Sequence, residues 1–313
     1  MLAFVAKRTL AVIPVMVVVS VVVFLLLRLS PGDPALVIAG DNADAETLQR
    51  IRTALGLDQP LATQFIIWMG NTLSGDLGTS IFTNLPVTEL ILQRVEPTLS
   101  LALTTMLFAI SVAVPLGTVA GATAGSWLDR TLMAVSVVGF SVPAFVLGYC
   151  MIYLFSLKFG WLPVQGFTSI SEGVLPFLRS ITLPTVTLGL AYMVLIARIT
   201  RASVLEMMGE DFIRTARAKG VAERLVITHH ALRNAAIPIL TVIGIGVALL
   251  ISGVVVIETV FNIPGIGRLV VDAILKRDYP VIQGVILLFS AVYVLINLAI
   301  DIGYALLDPR VRY

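Results

Sequence analysis

The sequence predicts an all-α polytopic membrane protein with six transmembrane helices and both termini inside (N-in/C-in). Three observations carry this. The 313 residues are 58% hydrophobic and only 13% charged, whereas soluble domains run nearer a quarter charged. Six charge-free runs reach or approach the roughly 20 apolar residues a helix needs to cross a hydrocarbon core about 30 Å thick. The positive residues of the short connections gather on one side.

The runs are 9–27, 98–127, 131–157, 180–197, 234–257 and 279–300. In lipid every backbone polar group must be paired within its own segment, so each run is a helix. The fourth is the shortest, and a helix can continue past Arg198. The first follows Lys7 and Arg8. Its apolar stretch is longer than a usual signal-peptide core and no small-residue cleavage site follows promptly, so it reads as a retained span. With the N-terminus inside, the inner segments hold Lys7, Arg8, Arg130, Arg198, Arg201, Arg214, Arg217, Lys219, Arg224, Arg233, Arg310 and Arg312. The short outer ones hold Lys158, Arg179, Arg268, Lys276 and Arg277. A net charge of +2 gives no argument for a nucleic-acid partner. Cys150 is the single cysteine; it cannot form an internal disulfide, and its apolar run predicts a buried, inert thiol.

The chain is thus one membrane domain (1–313) with a large outer insertion at 30–97. The insertion opens on the turn-rich "SPGDP". "ADAETLQRIRTALG" then places Leu48, Ile51 and Leu55 on one helical face, with Gly56 as a stop. "QPLATQFIIWMGNTL" begins near Pro60 and is too short to span, so it lies on the membrane surface or packs on the bundle. "GDLGTS" (75–80) is a turn. Eight acids against three arginines make the insertion a solvated cap, either a plain surface loop or a docking place for something outside. Between the fifth and sixth runs, "ETVFNIPGIGRLVVDAILKRDYP" breaks at Pro264, Gly265 and Gly267, and "RLVVDAIL" allows a short amphipathic helix. A broken segment beside a span lines a cavity or gate; the alternative is a simple outer hairpin. Glu258, Phe261, Pro264, Gly265 and Gly267 are the periplasmic gate candidates. Glycines 244, 246 and 253 point to close helix packing in preference to a passage.

The cytoplasmic loop, 198–233, runs into the charged stretch "GEDFIRTARAKGVAERLVITHHALRNAAIP". Its residues 210–219 have the marks of a short helix. Glu210 and Asp211 sit where the helix dipole favours acids, and Arg214, Arg217 and Lys219 where it favours cations. Gly220 follows as a stop, and Glu210–Arg214 is a favourable i,i+4 pair. On a helical wheel Phe212, Ala216 and Ile213 form one face, and Arg217, Glu210 and Arg214 the other. Thr215 and Ala216 add little bulk. From this pattern two readings stay open: a helix that covers the end of the bundle, or one that inserts into a groove of a cytoplasmic partner. A free helix this short is marginal. His229 and His230 are adjacent, so they point about 100° apart on a helix and make poor joint metal ligands.

Chemistry of the chain's own is not expected. There is no G-x-x-x-x-G-K-[ST] loop, no H-E-x-x-H, no G-x-S-x-G and no cysteine–histidine set, hence no catalytic residue, metal site or resident cofactor. The runs carry no charge; Arg28, Arg198, Arg201, Glu258 and Asp301 stand at their ends, unlike the interior relays of ion-coupled carriers. Uphill transport by such a chain needs energy from a partner; the alternative is an ATP-independent channel or carrier.

The sequence resembles the permease subunits of bacterial ABC importers in the dipeptide, oligopeptide, nickel and glutathione group. The matching pieces span the chain: "PGDP", "LGLDQP", "GDLGTS", "TRAS", "EDFIRTARAKG", "HALRNAAIP", "ETVFNIPGIGRLVVDAI", "RDYPVIQG" and "DPRVRY". The resemblance implies a type I ABC importer permease fold in the bacterial inner membrane. It implies a coupling loop, Glu210, Asp211, Phe212, Ile213, Arg214, Thr215, Ala216, Arg217, Lys219 and Gly220, that docks on an ATPase. The general family loop reads Glu-Ala-Ala, three residues, then Gly. Here Arg214, Thr215 and Ala216 stand in the first three places, so only the second alanine and the glycine match, as in the peptide-type subgroup. Implied partners are a second, homologous but non-identical permease (a heterodimer), two ABC ATPase subunits that bind ATP and Mg, and an extracytoplasmic solute-binding protein. Implied function is half of a pathway for di- or oligopeptides, or for glutathione or nickel, working by alternating access.

Overall fold

Five of the six apolar runs become single helices, and the third does not. The computed structural model describes residues 2–29, 46, 49, 52, 53 and 58–307, and every regular element among them is helical. The main helices are α1 (Leu2–Leu29), α2 (Leu61–Leu73), α3 (Val87–Ala122), α4 (Trp127–Ser141), α5 (Ala144–Met151), α6 (Val174–Met208), α7 (Asp211–Ala218), α8 (Ala236–Val260), α9 (Ile266–Lys276) and α10 (Tyr279–Leu307). Of these, α1, α3, α6, α8 and α10 are long and apolar enough to cross a membrane. The run at 131–157 breaks at Pro143. A proline has no N–H to continue the helix and pushes the residue before it out of helical geometry; Val142 accordingly has φ −95° and ψ 118°. The chain restarts as α5 and then winds as a π-helix over Ile152–Lys158.

"SPGDP" and the terminal "DPRVRY" lie outside the described residues; of the helix expected within 43–56, residues 46, 49, 52 and 53 are described and are helical, while Leu48, Ile51 and Leu55 lie outside the described residues. The next expectation of the insertion is met, since α2 starts directly after Pro60. The short amphipathic helix expected in "RLVVDAIL" is α9.

The described chain forms two compact units. One comprises residues 96–267 with the C-terminal stretch from 295, the other the described parts of 2–95 with 268–294. The core of the first joins Leu101, Met106 and Ala109 of α3, Leu188, Tyr192 and Ile196 of α6, and Leu250, Val254 and Ile257 of α8. Small residues set the spacing. A Cβ on Gly117 or Gly121 of α3 would come within 2.6 Å of the carbonyl oxygens of Ala197 and Arg201 in α6. Of the three glycines expected to allow close packing, Gly244 has Ile300 Cγ1 2.8 Å from where a Cβ would stand and Gly253 has the Tyr192 hydroxyl at 2.8 Å, whereas Gly246 has only ordinary neighbours.

The expected burial of Cys150 is corrected: its side chain is exposed. The buried face of α5 is at Gly148, against Val260 and Phe261. Two residues further the helix has turned about 200°, which carries Cys150 to the opposite side.

In the second unit α2 packs on α1, with Phe24 meeting Phe65 edge-on at 5.4 Å and Trp68 at 5.7 Å. "GDLGTS" and "RDYP" meet there as well. The Ser80 hydroxyl donates to Asp278 Oδ2 at 2.5 Å, and the Ile81 N–H to Oδ1 at 3.2 Å.

Candidate functional site

The charged stretch folds as expected at its ends and differently on its faces. Residues 211–218 form α7, with Glu210 at the N-cap position. Its C-terminus closes by a Schellman motif: Gly220 N–H donates to the Arg217 carbonyl at 2.9 Å and Val221 N–H to the Ala216 carbonyl at 3.2 Å. Gly220 takes φ +75°, a conformation only glycine adopts at no cost. The same motif stops α8 at Asn262 (φ 53°) and α9 at Arg277 (φ 59°).

The expected Glu210–Arg214 pair does not form. Glu210 has ψ 150° and lies outside the helix, so its side chain does not stand over the next turn. Arg214 instead reaches Asp211 at 3.2 Å. Arg217 forms a fork with Glu223, at 2.6 and 3.1 Å. That hydrogen-bonded guanidinium lowers the Glu223 carboxyl below the usual range, and Glu223 raises Arg217 in return.

Two of the three residues of the apolar face of α7, Ile213 and Ala216, are not open to a partner, whereas Phe212 is exposed. Ile213 and Ala216 are buried with Val204 of α6, Val226 and Ala231 of the π-helical segment Val226–Ala231, and Ala235 and Ile239. The small side chain of Ala216 therefore lets α7 sit close on its own bundle. Outward it presents Asp211, Phe212, Arg214, Thr215, Arg217 and Lys219, with Glu210 and Gly220 exposed at its two ends. His229 and His230 are edge-to-face neighbours, ring centres 5.6 Å apart.

One pair beside this end was not anticipated from the sequence. Arg201, near the end of α6, donates from Nε to Asp129 Oδ1 at 2.5 Å and from Nη2 to Oδ2 at 2.9 Å. Asp129 is 4% exposed, accepts the Gly125 N–H at 2.9 Å and sits in the first turn of α4, where the Ser126 hydroxyl caps its N–H. The Arg201 guanidinium first, then the Gly125 N–H, hold the Asp129 carboxyl at about 2. Ser126-x-x-Asp129 has the spacing of a capping box and marks the helix start in the sequence. The partner, 72 residues away, leaves no such mark.

The segment after α8 folds over a buried carboxyl group. Glu258 is 0% exposed and accepts the Thr98 hydroxyl at 2.6 Å. The oxygen of that hydroxyl in turn accepts the Ile266 N–H at 2.8 Å. A Cβ on Gly265 would fall onto the Glu258 carboxyl, and one on Gly267 within 2.7 Å of Val255 Cα. Both glycines are thus required by space. Phe261 is buried and its carbonyl accepts the Gly166 N–H at 3.0 Å. Of the five residues singled out, Glu258, Phe261, Gly265 and Gly267 are buried in this knot, and Pro264 is exposed. Thr98, at the start of an apolar run, had no signal to distinguish it.

Comparison with known proteins gives a consistent picture. A family model described as binding-protein-dependent transport system inner membrane component matches residues 113–313, and the N-terminal model of such membrane components matches residues 1–102. A probable peptide ABC transporter permease protein of Sinorhizobium fredii is 53% identical over 310 residues, 99% of each chain. The glutathione transport system permease protein of Escherichia coli is 46% identical over 313 residues, the full length of both. Among solved structures, the inward-facing MetNI methionine ABC transporter superposes with a TM-score of 0.59 at 20% identity, covering 70% of this chain and 96% of that one.

Proposed function

We infer the function from one premise: the chain belongs to the binding-protein-dependent transport system inner membrane components, and is an ABC importer permease of the multi-pass inner-membrane kind. We propose that it forms half of the pathway for short peptides. It crosses the membrane six times, five times as a single helix and once as the broken α4–α5 segment with its π-helical end. Both termini lie inside, which puts α7 in the cytoplasm and the Glu258 knot at the outer end, in keeping with the distribution of positive residues.

In this reading a solute-binding protein delivers cargo outside. Two ATPase subunits, which bind ATP and Mg, close below, and a second, non-identical permease completes the pathway. This chain supplies no catalytic residue and no cofactor. The observation that carries the reading is α7: a helix with an exposed charged face and Phe212 at its edge, fixed through Ile213 and Ala216 to α6 and to the chain leading into α8. A partner that grips the outer face moves those long helices with it. The Glu258 knot then serves as an outer gate element, held shut or released as the helices shift. Full-length likeness to a peptide permease and a glutathione permease supports a short-peptide cargo, glutathione itself being a tripeptide.

The test is uptake by the intact complex. The tagged chain is purified from membranes with its associated subunits and placed in proteoliposomes with ATP and the binding protein. The expected result is a copurifying nucleotide-binding subunit and ATP-dependent accumulation of labelled dipeptide, with glutathione as the alternative cargo. A purified complex with no nucleotide-binding subunit sinks the importer reading for this chain.

A further inference from the structure

We propose that the Asp129–Arg201 pair is a mechanical joint that carries displacement of α7 into the broken α4–α5 segment, so that both residues are positioning residues for coupling. The inference rests on the reading of α7 as the ATPase-docking helix.

The route is short and continuous. Only Gly209 and Glu210 separate α6 from α7, and Ile213 and Ala216 share a buried cluster with Val204. Arg201 and Val204 are three residues apart, on one side of α6. What moves α7 therefore moves the turn of α6 that bears Arg201. From Arg201, α3 and α4 are attached differently. At Gly121 backbone lies on backbone, where a Cβ would meet the Arg201 carbonyl oxygen at 2.6 Å, and the hydroxyl bond between α3 and α6, Thr104 to Thr185 at 2.7 Å, lies further along both helices. The tie to α4 is directional, a two-bond fork into a nearly buried carboxylate that also holds the turn at Gly125. Such forks fix angle as well as distance. α4 has 15 residues; the part beyond Asp129, residues 130–141, is a lever about 18 Å long at 1.5 Å per residue, and it ends at the Val142–Pro143 break. A helix break is where a segment changes angle. The joint thus stands at one end of the lever and a hinge at the other.

A purely structural ion pair and a joint are separated by removing both charges together. Asp129→Asn alone leaves Arg201 without its countercharge and should lower both thermal stability and uptake. Asp129→Asn combined with Arg201→Met keeps an acceptor for the Gly125 N–H and a stem of similar length. Replacing both members of a buried pair by neutral residues is often neutral for stability, so the melting temperature of the complex should recover. Uptake in proteoliposomes should stay down about tenfold, within the usual range of inter-site coupling, with solute moved per ATP hydrolysed falling in step. Native uptake by the double variant overturns the proposal. So does a double variant as unstable as the single one, which reduces the pair to scaffold. Failure of the unmodified complex to bind an ATPase subunit overturns the docking reading instead, and is recorded before any variant is made.

Discussion

Replacing Gly265 by alanine should loosen the segment 261–267 through Glu258. The added methyl would land on the carboxyl group of Glu258, which is 0% exposed and has no solvent to retreat into. If the carboxyl moves, the 2.6 Å bond from Thr98 goes, and with it the anchor that holds the Ile266 N–H. Overpacking costs about 1–3 kcal/mol and a lost hydrogen bond about 0.5–1.5 kcal/mol. Together these suggest a loss of about 1.5–4.5 kcal/mol. The assay is thermal unfolding of the purified complex for Gly265→Ala, Glu258→Ala and the double variant. Glu258→Ala vacates the space that the new methyl needs, so the double variant should be more stable than additivity predicts by about 1–3 kcal/mol. Gly70→Ala is the control: nothing lies within 4 Å of its Cβ in α2, and alanine in a helix interior is favoured by about 1 kcal/mol. Additive losses, or a Gly265→Ala variant as stable as the native chain, would refute the reasoning.

The two faces of α7 should respond oppositely. Ala216→Leu overpacks the cluster around Val204 and Ile213, so it should destabilise the chain by about 1–3 kcal/mol, seen as a lower melting temperature even without the ATPase. Phe212→Ala, at an exposed position, should change stability by no more than about 0.5 kcal/mol while reducing the amount of copurified ATPase. Acid should weaken the attachment of α4. The Asp129 carboxyl is lowered from 3.8 to about 2, so its contribution is complete above the unfolded value and is lost as pH falls through the folded one. A melting-temperature titration should therefore show a steeper fall in the native chain than in Asp129→Asn across roughly pH 4 to 2. Pro143→Ala should let α4 and α5 join, with amides at 142–144 exchanging more slowly by hydrogen-exchange mass spectrometry.

Much of the fold was legible because bilayer thickness imposes a length that apolar runs must meet. The break in the third run was not, although Pro143 was in plain view. Pro14, Pro97, Pro115 and Pro184 sit inside intact helices of this same chain, so proline alone does not announce a break; the surroundings decide. The π-helical segments at Ile152–Lys158 and Val226–Ala231 carry no compositional sign at all. At the candidate site, the helix at 211–218 and its glycine stop were readable from local rules. Its orientation was not, because amphipathicity says that Ile213 and Ala216 must be covered without saying by what. Of the glycines after Glu258, Gly265 was readable as a breaker, whereas Gly267, read the same way, lies in the first turn of α9. Their closer reason, the carboxyl group filling the space a side chain would take, depends on a fold-back that no window of sequence contains. The same limit hid Thr98 and the Asp129–Arg201 pair.

The Ser80–Asp278 bond joins residues 198 apart in the chain, and the unit that contains it is built from two separate stretches, the described parts of 2–95 and residues 268–294. This has a consequence in time. The first helix enters the membrane early in synthesis, yet the buried hydroxyl of Ser80 meets its carboxylate only after 198 further residues have been made. Until then the early part of this unit waits without its later part, exposed to proteases and to wrong partners for longer the slower translation runs. A chain terminated before Asp278 would lack the closing piece altogether. The bond therefore closes only after Asp278, the residue directly before α10, has been made.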